Sequence, residues 1–536
     1  MLRKQAIDQA INSAEWDILV IGGGATGLGT ALEAASRGYR VLLLEAADFA
    51  KGTSSRSTKL IHGGVRYLRS GQLQMVRDSL IERGRLLVNA PHVVHPIRIA
   101  IPCFRRSACW YYRLGLTAYD LLAGRRRMQT STVVSADEMR GLFPNMLHSS
   151  SPEKERIHAG LLFSDGQFDD ARLAIALLQT FWQHGGLAIN YAAVTSIAHN
   201  RSYHEVTFVD AETQLEHRLT AKAVVNATGV FAKQVMQLDT EARNTGNISI
   251  VASQGTHLVL PASFLHSNCG FLIPETDDGR VLFLLPWCGR TLLGTTDLEV
   301  NTIDSEPRAL SVEIDYLLEH AARYLRQPPQ RSDILSVFSG LRPLVGKSGK
   351  SSIQLSREHE LITSPSGLVS VIGGKWTTYR KMGQDVVDLV TKVSGLPARP
   401  SRTADMALAG AGGVAASQQC SDLSQEFLQL ILPGYGTRGN EILQLIAANP
   451  KLAQPFHPSL PYVLAQVDWA IEHEMARTVE DILARRTRAL LLDARAASEA
   501  APAIAAHMMV VLGRNEQWRE EQIASFQLLA ERYMVV

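Results

Sequence analysis

The sequence predicts an α/β fold: a doubly wound dinucleotide-binding domain interleaved with a mixed-sheet domain, followed by an all-α C-terminal domain. Three observations carry this expectation. A Val-Ile-rich run, Trp16 to Ile21, stops at Gly22-Gly23-Gly24 and leads into a small-residue helical pattern. Strand-like runs recur along most of the chain, with a second glycine turn at Gly373-Gly374. From about residue 416 onward the pattern is almost entirely helical.

Length and charge bound the rest. A chain of 536 residues holds more than one core. Lys and Arg total 54 against 52 Asp and Glu, a net charge of +2, so there is no global pull on nucleic acid. Any basic patch is local. Five cysteines, at 103, 109, 269, 288 and 420, form no CxxC pair, which argues against a disulfide framework, a zinc site or any other metal centre. The first residues lack the apolar stretch of a signal peptide, and no run approaches 18 apolar residues. The composition suits a soluble or membrane-surface protein of a reducing compartment.

Residues 1–14 read as a polar tail or short helix. Trp16 to Ile21 reads as a buried parallel strand, residues 25–37 as a helix ended by Gly38, and Val41 to Leu44 as a second buried strand ending at Glu45. Residues 73–89 have helical spacing, 187–229 read as strands ending at VNATG, and 251–299 carry further strand runs. A helix follows near 311–326, then a strand near 353–356 and the strand-turn-helix GLVSVIGGKWTTYRKMG. Residues 396–415, rich in Pro, Ala and Gly, read as a linker.

Gly22, Gly24 and Gly27 satisfy G-x-G-x-x-G between a strand and a helix, and Glu45 closes the next strand 18 residues after Gly27. The first glycine makes the tight turn, the second admits a pyrophosphate, and the third lets the helix pack on the sheet. The helix start at Ala25 and Thr26 offers N–H groups to the anion, and Glu45 would accept from ribose hydroxyls. This loop fits NAD or FAD equally well. The VNATG turn ending at Gly229 and the turn Gly373-Gly374-Lys375 favour FAD, because a late helix start can face the flavin edge.

Residues 51–68, KGTSSRSTKLIHGGVRYL, together with GGGATG, VNATG, SQGTH, GTTD, FSGLRPL and GGKWTTYRK, resemble the FAD-dependent (aerobic) glycerol-3-phosphate dehydrogenases of the D-amino-acid-oxidase superfamily. The resemblance runs from about residue 16 to 390 and, more weakly, through 468–488. It implies bound FAD and oxidation of sn-glycerol 3-phosphate to dihydroxyacetone phosphate; since none of the five cysteines can be placed at the flavin, the FAD is expected to be non-covalent. It also implies electrons passed to a membrane quinone, or to oxygen in the oxidase branch. It divides the chain into an FAD-binding domain (15–92, 158–247 and 337–395), a substrate and membrane-facing domain (93–157 and 248–336) and the helical domain (396–536). Thr53, Ser54, Ser55, Gly229, Gly374 and Thr377 would line the cofactor. Arg66 and Tyr67 would face the substrate, Arg342 and Arg357 would bind its phosphate, and Lys375 would stand at the flavin edge, touching substrate and taking part in catalysis.

A phosphate carries nearly two charges, and arginine forks match its oxygens. Oxidising a secondary alcohol also needs a base for the hydroxyl proton. His62 and His257 are the candidate histidines, beside Lys375, and the choice among them stays open. An oxidase reducing oxygen, an amine or amino-acid oxidase, and a non-catalytic flavin-binding or membrane-scaffold protein are the competing readings. Residues 103–128 set Trp110, Tyr111, Tyr112 and Tyr119 between arginines, as either a membrane-surface helix or a core-packing helix. The resemblance favours peripheral attachment to the inner face of the cytoplasmic membrane. Asp481 and Arg485, an i,i+4 pair, read as a solvated helix face. A homodimer through the helical domain stays open.

Overall fold

A computed structural model describes the chain apart from residues 1–2, 14, 69–70, 127, 147–156, 201, 242–248, 275, 347–358, 413–422 and 536, and the side chains of residues 66, 67, 125, 249, 345 and 346. Arg357, the side chains of Arg66 and Tyr67, and the strand expected near 353–356 therefore lie outside the described residues.

Trp16–Ile21 is a central parallel strand, and its four C-terminal residues are continuous apolar core. Val41–Leu44 lies on one side, with Ile18 opposite Val41 and Ile21 opposite Leu44. Glu216–Asn226 lies on the other, with Ile21 opposite Asn226. Leu187–Ile189 and Val369–Gly373 extend the parallel sheet outward. The carboxyl ends of these strands therefore share one edge, where open α/β sheets bind ligands. Helices Ala25–Ser36, Asp170–Gln183 and Tyr379–Val393 are the main helical cover around this sheet.

The second sheet has ten strands and is mostly antiparallel. Its longest ladder pairs Ser249–Pro261 with Ser336–Gly346. Strands of the two sheets alternate along the chain, so the interleaving expected from the sequence is present. The C-terminal helices, among them Ala465–His473, Ala494–Leu512 and Glu516–Glu531, share one apolar core with Val259, Leu285, Trp287 and Phe338 of the second sheet.

One open reading is resolved and two sequence expectations change. Of the two readings of residues 1–14, the structure takes the helix, Arg3–Asn12, docked by buried Ala6, Ile7 and Ala10. Its Arg3 donates to the Asp210 carboxylate at 2.6 Å. Part of the stretch read as a linker is packed: Leu408 and Ala409 are buried, and their N–H groups donate to Asn89 O and Thr180 Oγ1 at 2.8 Å each. Asp481 and Arg485 are not on a solvated face. They pair at 2.7 Å but are almost wholly buried, because Asp48 and Tyr191 complete their bonding.

Candidate active site

The glycine loop leaves the sheet at the shared carboxyl edge. Gly22 has φ +108°, and a Cβ there would stand 2.7 Å from the Ala227 carbonyl oxygen. A Cβ on Gly27 would stand 1.8 Å from the Gly22 carbonyl oxygen, so neither position admits a side chain. Gly24 opens helix Ala25–Ser36, where the Ala25 N–H donates to Ser54 Oγ at 2.9 Å. Glu45 accepts from Gly23 N at 2.5 Å and from Ala47 N at 2.9 Å. Burial pushes its carboxyl above the usual range, against the pull of these two N–H groups. Glu45 thus shapes the loop as well as standing at the end of the second strand. A cradle built of bare backbone at a helix start fits a dinucleotide pyrophosphate.

The turn Thr53–Ser55 closes one side of this cradle. Thr53 Oγ1 donates to Leu341 O at 2.5 Å, which ties the turn to the strand carrying Arg342. Trp376 Nε1 donates to Ser54 O at 2.9 Å, tying it to the late glycine turn. There Gly373 and Gly374 have φ +81° and +89°, and Lys375 and Thr377 follow at the same sheet edge. Thr377 Oγ1 accepts from His62 N and donates to His62 O, both at 3.3 Å. Lys375 Nζ lies 3.3 Å from Met75 Sδ. Gly229, at φ +59°, begins the turn after the VNATG strand beside Gly22. The predicted cofactor residues are therefore gathered along one edge.

The second sheet brings the substrate candidates to this edge. On the long ladder Ser253 faces Arg342 and His257 faces Phe338. The Arg342 guanidinium is aimed by Thr296 O at 3.3 Å, Thr295 Oγ1 at 3.2 Å and the Asp297 carboxylate at 3.4 Å. His257 is buried, stacks on Phe338 with ring centres 4.9 Å apart, and its Nε2 meets Thr58 Oγ1 at 2.9 Å. Burial, with the nearby Arg342 and Lys59 charges, pushes its pKa well below the ordinary histidine value. The imidazole is therefore neutral, and the same shift weakens it as a proton acceptor. Among the described residues its Nδ1 is buried without a partner.

Helix Arg106–Ala123 exposes Trp110 (68%), Tyr111, Leu114 (74%) and Leu121, and buries Leu116, Tyr119 and Ala123. It is thus neither a wholly packed helix nor a solvated one. Tyr119 OH accepts from Gly63 N at 2.8 Å and donates to Asp165 at 2.9 Å. Asp165 in turn pairs with Arg83 at 2.6 Å. The buried face of this helix is therefore hydrogen-bonded to the segment that carries His62. No described helix is long and apolar enough to cross a membrane.

Sequence reasoning passed over Thr58, Lys59, Asp165, Asp170 and Tyr119 as site residues. Buried Lys59 bonds both Asp170 carboxylate oxygens, at 2.8 and 2.7 Å. The available signal was local: KLIHGG and QFDD each place a charge beside apolar strand residues, where only a pair can be buried.

A dinucleotide cradle at the edge of a parallel sheet, faced by a buried neutral histidine and an oriented arginine from a second sheet, defines a flavoprotein oxidoreductase class. Residues 17–380 match the FAD-dependent oxidoreductase family, and residues 401–522 match the C-terminal domain of alpha-glycerophosphate oxidase. The chain belongs to the FAD-dependent oxidoreductase family, among the relatives called glycerol-3-phosphate dehydrogenases. The mouse mitochondrial glycerol-3-phosphate dehydrogenase is 36% identical, over 95% of this chain and 72% of its own length. The yeast mitochondrial enzyme is 32% identical, over 97% of this chain and 89% of its own. The solved structure of the Bacillus halodurans glycerol-3-phosphate dehydrogenase complexed with FAD has a TM-score of 0.78 and 28% identity, covering 99% of this chain and 97% of that one. The cofactor is FAD.

Proposed function

We propose that the protein oxidises sn-glycerol 3-phosphate to dihydroxyacetone phosphate and delivers the electrons to a membrane quinone. The carrying observation is that buried His257 and Arg342 come from the two adjacent strands of one ladder, the Arg342 strand being tied to the cofactor turn by Thr53. Names of the relatives at 32–36% identity support the same substrate. Bound FAD supplies the hydride acceptor. The chain's own residues bind, orient and deprotonate: Arg342 holds the phosphate, and His257, with His62 or Lys375 as the alternatives, takes the hydroxyl proton. Arg66, Tyr67 and Arg357 complete the substrate side in this reading. Anaerobic addition of glycerol 3-phosphate should bleach the yellow flavin absorbance. An unbleached spectrum from flavin-loaded protein would sink the dehydrogenase reading.

For the acceptor, the exposed aromatic-aliphatic face of Arg106–Ala123 supports contact with a membrane surface, since Trp and Tyr favour the headgroup zone. One observation favours a second reading, reduction of oxygen: residues 401–522 match a domain named for an oxidase. Turnover with a short-chain quinone against turnover with dissolved oxygen separates the two. Faster turnover with oxygen would overturn the quinone assignment.

A further inference from the structure

The helical domain reaches the cofactor loop through three arginines in the run Asp481 to Arg488. Arg486 holds both carboxylate oxygens of Asp48 at 2.7 and 2.8 Å, and Arg485 Nε adds a third bond to Asp48 at 2.6 Å. Two residues on, the Ala50 N–H donates to the Gly23 carbonyl oxygen at 3.0 Å, so this corner props the glycine loop. Arg488 goes further. Its Nη2 donates to Ser55 O at 2.6 Å and to Asp170 at 3.1 Å, while Nη1 donates to Ala484 O at 3.0 Å. Lys59 Nζ donates to the same Ser55 carbonyl at 2.8 Å. Ser57 donates to Asp170 from its N–H and its hydroxyl, at 2.9 and 2.7 Å.

The Ser55 carbonyl thus lies between two buried cations that share one fully buried carboxylate. It belongs to the turn whose Ser54 hydroxyl meets the Ala25 N–H at the pyrophosphate end of helix Ala25–Ser36. A fully buried arginine is costly to desolvate, and 433 residues separate it from Ser55. Its other contacts with the preceding domains, among the described residues, are Asp170, Asp169 at 3.7 Å and the Trp287 ring, 5.8 Å from the guanidinium carbon. We infer that Arg488 is a positioning residue for FAD: through Ser55 and Asp170 it sets the Thr53–Ser55 turn against the pyrophosphate cradle, making flavin retention depend on the helical domain.

The test is FAD binding to the full-length apoprotein, followed by flavin fluorescence, alongside the melting midpoint of the apoprotein. Arg488→Met should raise the FAD Kd about tenfold or more, through loss of two charge-assisted bonds. Arg488→Lys should recover part of that loss, since an ammonium can still reach Ser55 O or Asp170. Arg519→Met, at an exposed pair in the same domain, should leave Kd unchanged. A purely structural arginine would lower the apoprotein midpoint and leave Kd within twofold, and that result overturns the proposal. If Arg488→Met fails to fold, hydrogen exchange of the parent protein decides. FAD should slow exchange in 53–59 and also in 484–488. Protection confined to 53–59 would overturn the inference.

Discussion

Arg342 and Glu45 show what single residues do at this edge. Arg342 is aimed by contacts of 3.2 to 3.4 Å with Thr295, Thr296 and Asp297. Arg342→Ala should lower kcat/KM for glycerol 3-phosphate by about 2–5 kcal/mol, because a desolvated anion loses its partner. Arg342→Lys should restore part of this, lacking the fork. Unphosphorylated glycerol, a poor substrate throughout, should be no poorer in Arg342→Ala. Equal losses for both would make the arginine structural. Glu45→Gln should weaken FAD binding by about 1–2 kcal/mol. Its amide cannot accept from both Gly23 and Ala47, so a donor would face a donor. Undiminished FAD binding would show that the carboxylate matters neither to the loop nor to the ribose. The glycine loop was legible in the sequence because its requirements lie within a few residues of one another. Lys59, Asp165 and Asp170 were not, because their charged partners are 82 to 318 residues away.

At the scale of elements, the pattern of residues 103–128 gave a helix with two faces but not their division. The structure divides them: Tyr119 points in and Trp110, Tyr111, Leu114 and Leu121 point out. The double change Trp110→Ser with Leu114→Ser should reduce binding to anionic liposomes about tenfold or more, since each apolar side chain contributes about 1.5–3 kcal/mol when fully buried. Unchanged co-sedimentation would assign the face to another use. Tyr119→Phe should cost about 1–3 kcal/mol in stability. It strips one partner from the Gly63 N–H and one from buried Asp165, leaving that carboxylate to Arg83 and the Gly63 N–H. Chemical denaturation of parent and variant measures this directly. The opposite lesson comes from Asp481 and Arg485. An i,i+4 pair is the ordinary mark of a solvated helix, and nothing near it in sequence announces Asp48. Only the packing of the helical domain on the cofactor corner buries the pair and makes it one part of a larger ion network.

The whole molecule carries enough buried titratable groups for its stability to depend on pH in two separate windows. His204 on strand Tyr203–Asp210 and His92 are each pushed down to about 4, chiefly by burial, and His257 is pushed well below its ordinary value for the same reason. Below about 6.5 an unfolded histidine binds a proton that its folded counterpart refuses. The unfolded state then holds more protons, so stability falls as pH drops. Each histidine contributes a slope of up to about 1.4 kcal/mol per pH unit, from about 6.5 down to its folded pKa. The carboxylates act later. Glu480 is lowered to about 2, held ionised by Arg485 and Lys51 against the cost of burial, and Asp170 is lowered by Lys59 and Arg488. Their stabilisation is complete above the ordinary carboxylate pKa and is lost only as pH falls through the lowered values. The apoprotein should therefore lose stability between pH 6.5 and 4 while Glu480 and Asp170 stay ionised. His204→Gln isolates one share of this loss, since a glutamine takes up no proton in either state. Its denaturation free energy, measured at pH 7, 6 and 5, should fall less steeply than the parent's by close to one histidine's slope. Parallel lines for parent and variant would mean that His204 is charged in the folded protein, and that the first window belongs to other groups.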